Sequence, residues 1–447
     1  MASWKRIGEL AGWISFLSEE LDQRSRWRLG PILLGALWAT GRRTVARWIT
    51  AADLSRDWQR YYAFLWTVGR KADVISRQLL RLAVRVIPVE HLGQFIRLAI
   101  DDTPTARYGP QVVGAGVHRD PTPGPSGNKH LYGHIWVMLS WVVRHPTWGP
   151  IGLPIRSLMY IRRLTFQTLQ MRLEKPWSFR TKLELAAKLV EWAAAWFSWL
   201  NKRLLVVADG AYAKRPFLDR MRAINAVVVS RLRKDAALFD LPPQKKRGQR
   251  GRPRKYGVHR LSLARKAAHR HGWLTGIFQL YGRCVEKTYK TFLATYPPAG
   301  AVIRVVLVKE DGGWIAFFAT DPTLTVQEIL EAVADRGTIE QNFHDLKEVH
   351  GAGEQQVRNV WVNVAVWHIT MWLTTLIELW AWGRSATELV DRQDRPWDDR
   401  ERRPSHADKR NAMRRTQLRG EFLATPTRGA AARKIRAMLQ TVLSLVA

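Results

Sequence analysis

Up to about residue 90, apolar residues recur at three- and four-residue intervals, the mark of helices with one buried face. The run Leu33-Leu34-Gly35-Ala36-Leu37-Trp38 continues into residues 41–49, where Thr44 is placed to start a helix, and then into residues 57–66. Past this point the period changes. Residues 96–101 form a short apolar run that ends in Asp101-Asp102. Residues 111–118 and 134–143 are two more strand-like runs, flanking a Pro/Gly loop at 120–128. Residues 181–200 read as a helix leading to Arg203-Leu-Leu-Val-Val-Ala208, a strand without alternation and therefore covered on both faces. It ends in Asp209-Gly210, followed by a helix over 214–224 and a strand over 226–232. Strands at 273–280, 301–308 and 314–320, the last two joined by the turn Asp311-Gly312-Gly313, precede a helix that starts near Thr325 and includes Gln327, Ile329 and Leu330. The longest apolar run, 360–382, contains Asn363, His368 and Glu378, which suits a buried helix better than a bilayer span.

Antiparallel strands first and strand–helix alternation afterwards define an α/β class. The pattern divides the chain into a helical N-terminal unit (1–92), a first core part (93–235), a β-rich insertion with a basic loop (236–322), a second core part (323–385) and a basic C-terminal tail and helix (386–447). Within the last unit, residues 391–419 are charge-dense and read as an exposed linker before a short helix at 431–447.

Charge narrows the partners. Lys and Arg number 71 against 38 Asp and Glu, a formal charge of +33 that would repel itself without a polyanion nearby. A membrane is disfavoured, because the first ten residues lack the apolar stretch of a signal peptide. The single cysteine, Cys284, excludes an intrachain disulfide and is compatible with a reducing cytoplasm. Residues 242–256 have almost no apolar content and cannot pack a core. Within them, Arg250, Arg252 and Arg254 stand in an Arg-Gly-Arg-Pro-Arg run, which reads either as an extended arm for a narrow A·T-rich minor groove or as a flexible basic loop contacting phosphates. Arg42, Arg43 and Arg47 lie beside the Thr44 helix start, as in a helix-turn-helix, or on the solvated face of a helical bundle. Lys129, His130 and His134 have no cysteine or third histidine near them; they read as hydrogen-bonding or DNA-contacting residues and not as metal ligands.

The chemistry concentrates in three acidic motifs. Asp101 and Asp209 each follow an apolar strand, and Glu340 lies between Arg336 and Lys347 at intervals of four and seven on a helix. Singly, each has an ordinary explanation: a turn former, an N-cap, or an i,i+4 charge pair. Together, three converging carboxylates would repel one another unless divalent cations sat between them, as two-metal phosphoryl transfer requires. The flanking Arg336 and Lys347 would neutralise phosphate oxygens.

The order Asp-x-Thr, Val-Val-Ala-Asp-Gly and Arg-x-x-x-Glu-x-x-x-x-x-x-Lys resembles the DDE transposases of bacterial insertion sequences, over roughly residues 95–360. It is closest to the branch with a Tyr-Arg-Glu-Lys signature, although the signature's tyrosine falls at Val333. The resemblance implies an RNase H-like catalytic core interrupted by the β-rich insertion, with a helical N-terminal domain that binds transposon ends and a helical C-terminal region. It implies Asp101, Asp209 and Glu340 as catalytic residues and as ligands of two Mg²⁺ ions, for which Mn²⁺ can substitute. The Asp-x-Thr pattern favours Asp101 over Asp102, and only one of two neighbouring strand residues can face the metals. Arg336 and Lys347 would contact DNA, and Trp273 or Trp314 in the insertion could stack on a displaced base. The implied activity is cut-and-paste transposition of end DNA into target DNA, by a homodimer in the synaptic complex, in the bacterial cytoplasm at the nucleoid. The alternatives are an RNase H-fold nuclease that cuts without joining and a noncatalytic, domesticated DNA-binding protein.

Overall fold

The computed structural model describes residues 8–119, 127–169, 177–245, 250–392 and 397–423. The helix expected at 431–447 and most of the loop expected at 120–128 lie outside the described residues.

Five helices open the chain: α1 (Gly8–Leu17), α2 (Leu29–Trp38), α3 (Val45–Ala51), α4 (Trp58–Arg70) and α5 (Ala72–Val86). Thr44 caps α3, its hydroxyl accepting from the Arg47 amide at 3.3 Å. Gly35 lets α2 and α3 touch, since a Cβ there would stand 2.1 Å from the Trp48 carbonyl oxygen.

The sheet begins with β1 (Phe95–Ala106), β2 (Gly116–Arg119), β3 (His130–His145) and β4 (Gly149–Tyr160). After α6 (Arg163–Leu169) and α7 (Lys182–Phe197) come β5 (Arg203–Ala208), α8 (Arg215–Ala223) and β6 (Val227–Leu232). β1 pairs antiparallel with β3 and parallel with β5, and β5 pairs parallel with β6. Strand order β4-β3-β1-β5-β6, with α7 and α8 as the connections, is an RNase H-like core of α/β class. Helix α7 starts where the sequence places it, because Thr181 and Glu184 form a reciprocal capping box.

Two long strands, β4 and one in the insertion, escaped the hydrophobic pattern. β4 carries Pro150 and Pro154, which argue against a strand, but it pairs only with β3 and so lies where proline costs no ladder bond. The expected strand at 111–118 shrinks to β2, while β1 runs five residues past Asp101, so the paired aspartates are inside a strand and not at its end.

The insertion adds β7 (Leu238–Phe239), β8 (Arg260–Leu261), α9 (Leu263–Ala268), β9 (Leu274–Leu280), β10 (Arg283–Tyr296), β11 (Ala301–Glu310) and β12 (Gly313–Ala319). The long β10 is the second strand missed, and it is the centre of the insertion, pairing with β9, β11 and β7. β12 pairs antiparallel with β6, so insertion and core share one sheet of 12 strands.

Next come α10 (Val326–Asp335), α11 (Gly337–His344) and a π-helical turn at Asp345–Val349. Arg336 joins α10 to α11 with helical backbone angles, φ −57° and ψ −31°. The buried helix α12 (Val360–Ala381) is the apolar run at 360–382; it is long and apolar enough to cross a membrane, but its surface is already covered by the protein. Short α13 (Ala386–Leu389) leads to α14 (His406–Leu423).

The reading of 391–419 as an exposed linker holds for most described residues before His406 and fails beyond it. From His406 onward the segment is helix, with Lys409, Arg410, Ala412, Met413 and Arg414 buried. Its charges look like a solvated tail in sequence because the partners of Lys409, Arg410 and Arg414 lie outside the segment. Lys409 pairs with Glu378 at 2.5 Å, Arg402 with Asp398 and Asp408 at 2.8 Å each, and Arg410 and Arg414 donate to the terminal carbonyls of α2. One hydrophobic core runs from Leu10 in α1 to Met413 in α14.

Candidate active site

Asp101 sits in the middle of the sheet. Ile100 is level with Ala208 in the parallel pair β1–β5; Asp101 follows on β1, and Asp209 follows the end of β5, where its carboxylate also accepts from the Ala211 amide at 3.3 Å. Asp209 keeps an extended backbone, so the register carries both carboxylates to the same face. That face is covered by α11. Asn342 of α11 accepts from the Ser140 hydroxyl on β3 at 2.9 Å and donates to the Gly152 carbonyl on β4 at 2.9 Å. Ser140 is level with Ala99, two residues before Asp101 and hence on its face. Gly152 is required for this approach, because a Cβ there would stand 2.5 Å from the Asn342 side-chain oxygen.

Asp335 fixes the junction of α10 and α11. Its carboxylate receives Arg97 of β1 at 2.6 Å and Arg144 of β3 at 3.1 Å, and Arg144 also reaches Glu331 at 3.0 Å. One residue on, Arg336 spans two acids. One terminal nitrogen meets Asp101 Oδ2 at 3.2 Å and the other meets Glu340 Oε1 at 2.7 Å. The i,i+4 pair of an ordinary amphipathic helix is therefore present, but the same guanidinium also ties that helix to the sheet. Arg336, expected as a phosphate contact, is the internal counter-ion of Asp101 and Glu340 when no DNA is bound.

The electrostatics of Asp101 are unfavourable to its charged form. Burial, and then the neighbouring charges of Asp102 and Asp209, push its carboxyl up to about 7 against the pull of the Asp102 amide and Arg336. Asp102 turns to the opposite face and is satisfied there. Lys182 at the start of α7 meets it at 2.5 Å, and the Tyr212 hydroxyl donates to it at 2.8 Å. Tyr212 is held protonated by its own burial and by these carboxylates. Of the paired aspartates, only Asp101 shares a face with Asp209 and Glu340. Among the described residues, no three His, Cys, Asp or Glu side chains stand close enough to hold one ion. Hard carboxylate oxygens on adjoining elements, one of them destabilised by like charges, are still a donor set suited to Mg²⁺.

The remaining residues divide by location. Lys347 lies within the π turn, which interrupts the 3.6-residue period linking it to Glu340. It lines an open depression of ≈540 Å³ at the end of β1, together with Arg42, Tyr108 and Gln356. Arg42 and Arg47 are exposed, whereas Arg43 is bound to the core through Glu354 (3.7 Å) and through its carbonyl, which accepts from Gln355 at 2.7 Å. Lys129 and His130 are exposed at the start of β3. His134 is buried, its ring nitrogens engaged by the Val113 carbonyl (3.0 Å) and by Arg107 (3.2 Å), and burial lowers it to about 3. Arg250, Arg252 and Arg254 are exposed and outside any helix or strand, while residues 246–249 of the same arm lie outside the described residues. Trp273 is half-buried with Lys290 and Lys309 over its ring at 4.9 and 5.0 Å, and Trp314 carries Lys234 at 5.2 Å, so cations already cover both rings.

Arg107 was invisible to motif reading. It is buried, its pKa lowered by burial to about 10, and donates to the Gly353 carbonyl at 2.7 Å and to Asn363 at 3.2 Å, fastening the end of β1 to α12. The Asp335 clamp was equally hidden, its partners lying roughly two hundred residues away.

With this geometry in place, comparison with known families is informative. The model of the DDE superfamily endonucleases matches residues 17–275, more than half of the chain, and that of the transposase DDE domain matches residues 180–376. The chain belongs to the DDE superfamily of endonucleases, whose transposase members act on DNA. No curated protein sequence matches it.

Proposed function

We propose that the chain is a cut-and-paste DNA transposase, of the branch that carries Arg336, Glu340 and Lys347 in the Tyr-Arg-Glu-Lys spacing. The observation that carries this reading is the shared face of Asp101 and Asp209, crossed by the helix of Glu340 and linked to it through Arg336. Asp101, Asp209 and Glu340 would hold two Mg²⁺ ions, with Mn²⁺ an accepted substitute. When bound, such ions activate water and stabilise the entering and leaving oxygens of an in-line displacement. The protein's own contribution is positional. Asp335 and Asn342 fix the Glu340 helix on the sheet, Lys182 and Tyr212 draw Asp102 away, and Arg336 bridges Asp101 and Glu340 until a phosphate competes for its guanidinium.

End DNA and target DNA are the partners, and Lys347, Arg42, Arg47, Lys129, His130 and the arm with Arg250, Arg252 and Arg254 are the cations and donors offered to them. The complex forms as a homodimer in the bacterial cytoplasm, at the nucleoid. A direct test mixes the full chain with DNA bearing the inverted repeats that bracket its gene, supercoiled plasmid and Mg²⁺. Covalent joining of the ends to plasmid is expected. Cleavage without joining would make the protein a nuclease, and binding without cleavage a domesticated DNA-binding protein.

A further inference from the structure

A second, more enclosed cavity lies at the free edge of the sheet, away from the triad. Its volume is ≈420 Å³, and it is walled by β4, α7, α12, the junction of α4 and α5, and the segment 177–180. Beside aliphatic residues such as Met159 and Leu185, two kinds of side chain in its lining bear on a ligand. Arg70, Arg180 and Lys188 bring positive charge, and none of the three has an ion-pair partner among the described residues. The fourth cation, Arg156, is buried and paired with Asp73 at 2.7 Å, the cavity's single carboxylate. Charge therefore remains in excess, which calls for an anion. The other kind is aromatic: Trp177 and Trp361 meet edge to face at 4.9 Å, and Phe179, with Arg163 over its ring at 4.8 Å, also lines the cavity. Rings beside unneutralised cations suit a ligand that is flat and apolar at one end and anionic at the other.

We propose that this cavity binds a nucleotide, its cations holding the phosphate and its rings the base. The ligand could be a free mononucleotide or a nucleotide of the DNA substrate turned out of the helix. Position allows the second source. Ser157 on the cavity's floor is level with Met138 on β3, which is level with Asp101 on β1. Two strand spacings put the cavity floor about 10 Å from the Asp101 backbone, and because Arg180 and Lys188 lie with α7 on the Asp102 side of the sheet, a strand leaving the active site has to round the free edge at β4 to reach them.

The test begins with the full chain, titrated with deoxyadenosine monophosphate, deoxyadenosine and inorganic phosphate, followed by calorimetry and tryptophan fluorescence. The monophosphate should bind at least about tenfold more tightly than either fragment, since stacking and charge both contribute. Arg180→Ala with Lys188→Ala should weaken it by a further factor of about ten or more. These residues are half-buried and exposed respectively, and an unchanged circular-dichroism melt would show that the double variant is folded. End DNA carrying 2-aminopurine near the cleaved position then identifies the source. A fluorescence rise that the double variant loses assigns the cavity to an extrahelical nucleotide, and monophosphate binding without that rise assigns it to a free one. Inorganic phosphate binding as tightly as the monophosphate, or neither the monophosphate nor the base entering, overturns the proposal. Because the wild-type titration needs no cleavage, its outcome is separate from that of the transposase reading.

Discussion

Two carboxylates on the same scaffold have opposite fates. Glu378, buried in α12, accepts from His406 at 2.6 Å and Lys409 at 2.5 Å, and His406 in turn meets His350 at 2.8 Å. Despite burial, Lys409 and His406 hold its carboxyl down to about 2. Asp101 is pushed up to about 7, because burial and two neighbouring aspartates outweigh one shared guanidinium. At Glu378, where charge serves the fold, the chain provides both counter-ions itself. At the candidate active site, charge is left partly unbalanced, as a site awaiting cations would be.

The largest effect that could break this contrast is on stability. Glu378→Gln leaves Lys409 buried without an anion and should cost about 3–5 kcal/mol. Asp101→Asn removes a like charge and should leave stability unchanged or raise it. Urea denaturation of both variants in EDTA measures this, and equal losses would erase the distinction. The pH profiles should also differ in sign. In the folded chain Asp101 keeps a proton that the unfolded chain has lost, so its contribution makes stability fall as pH climbs from 3.8 to about 7. Glu378 contributes stability that is fully present above 4.5 and is lost as pH falls through about 2.

Next in size is catalysis. Asp209→Asn and Glu340→Gln should each lower Mg²⁺-dependent cleavage by more than about 100-fold, since even residues behind metal ligands cost 10–100-fold. End binding in a gel-shift assay should be retained. A variant that cuts at near the wild-type rate removes that residue from the site.

Smaller again is the stability effect of Arg336→Ala. Glu340 is 59% exposed, so the loss should stay below about 1 kcal/mol while DNA processing drops. A much larger fall in melting temperature would make Arg336 chiefly a structural clamp. The smallest effect concerns the basic arm. Deleting residues 245–255 should weaken binding to A·T-rich ends more than to G·C-rich duplex if the arm lies in the minor groove, and equally if it contacts only phosphates. Competition between matched duplexes at two salt concentrations separates these outcomes.

What could be read from the chain alone depended on how local the cause was. Thr181 with Glu184 and Thr325 with Glu328 place their helix starts correctly, because capping boxes close within one turn. The apolar strand before Asp209 and the buried helix at 360–382 were equally legible, since burial on all sides removes the polar punctuation. β4 was hidden by prolines that only its edge position makes harmless. Residues 406–419 looked like a solvated tail because Glu378 and the carbonyls at the end of α2, which engage Lys409, Arg410 and Arg414, are far away in the chain. At the candidate site, order and spacing proposed three acids but not the framework around them. Nothing near Arg336 in sequence announces that Arg97 and Arg144 hold its helix, nor that Lys182 and Tyr212 occupy Asp102.

The central claim is that Asp101, and not its neighbour, works with Asp209 and Glu340. Cleavage of end DNA in Mg²⁺ by Asp101→Asn and Asp102→Asn, compared in one assay, tests it most directly. Asp101→Asn should lose cleavage by more than about 100-fold, while Asp102→Asn keeps much of it, with only its contacts to Lys182 and Tyr212 loosened. Activity retained by Asp101→Asn and lost by Asp102→Asn would contradict the account.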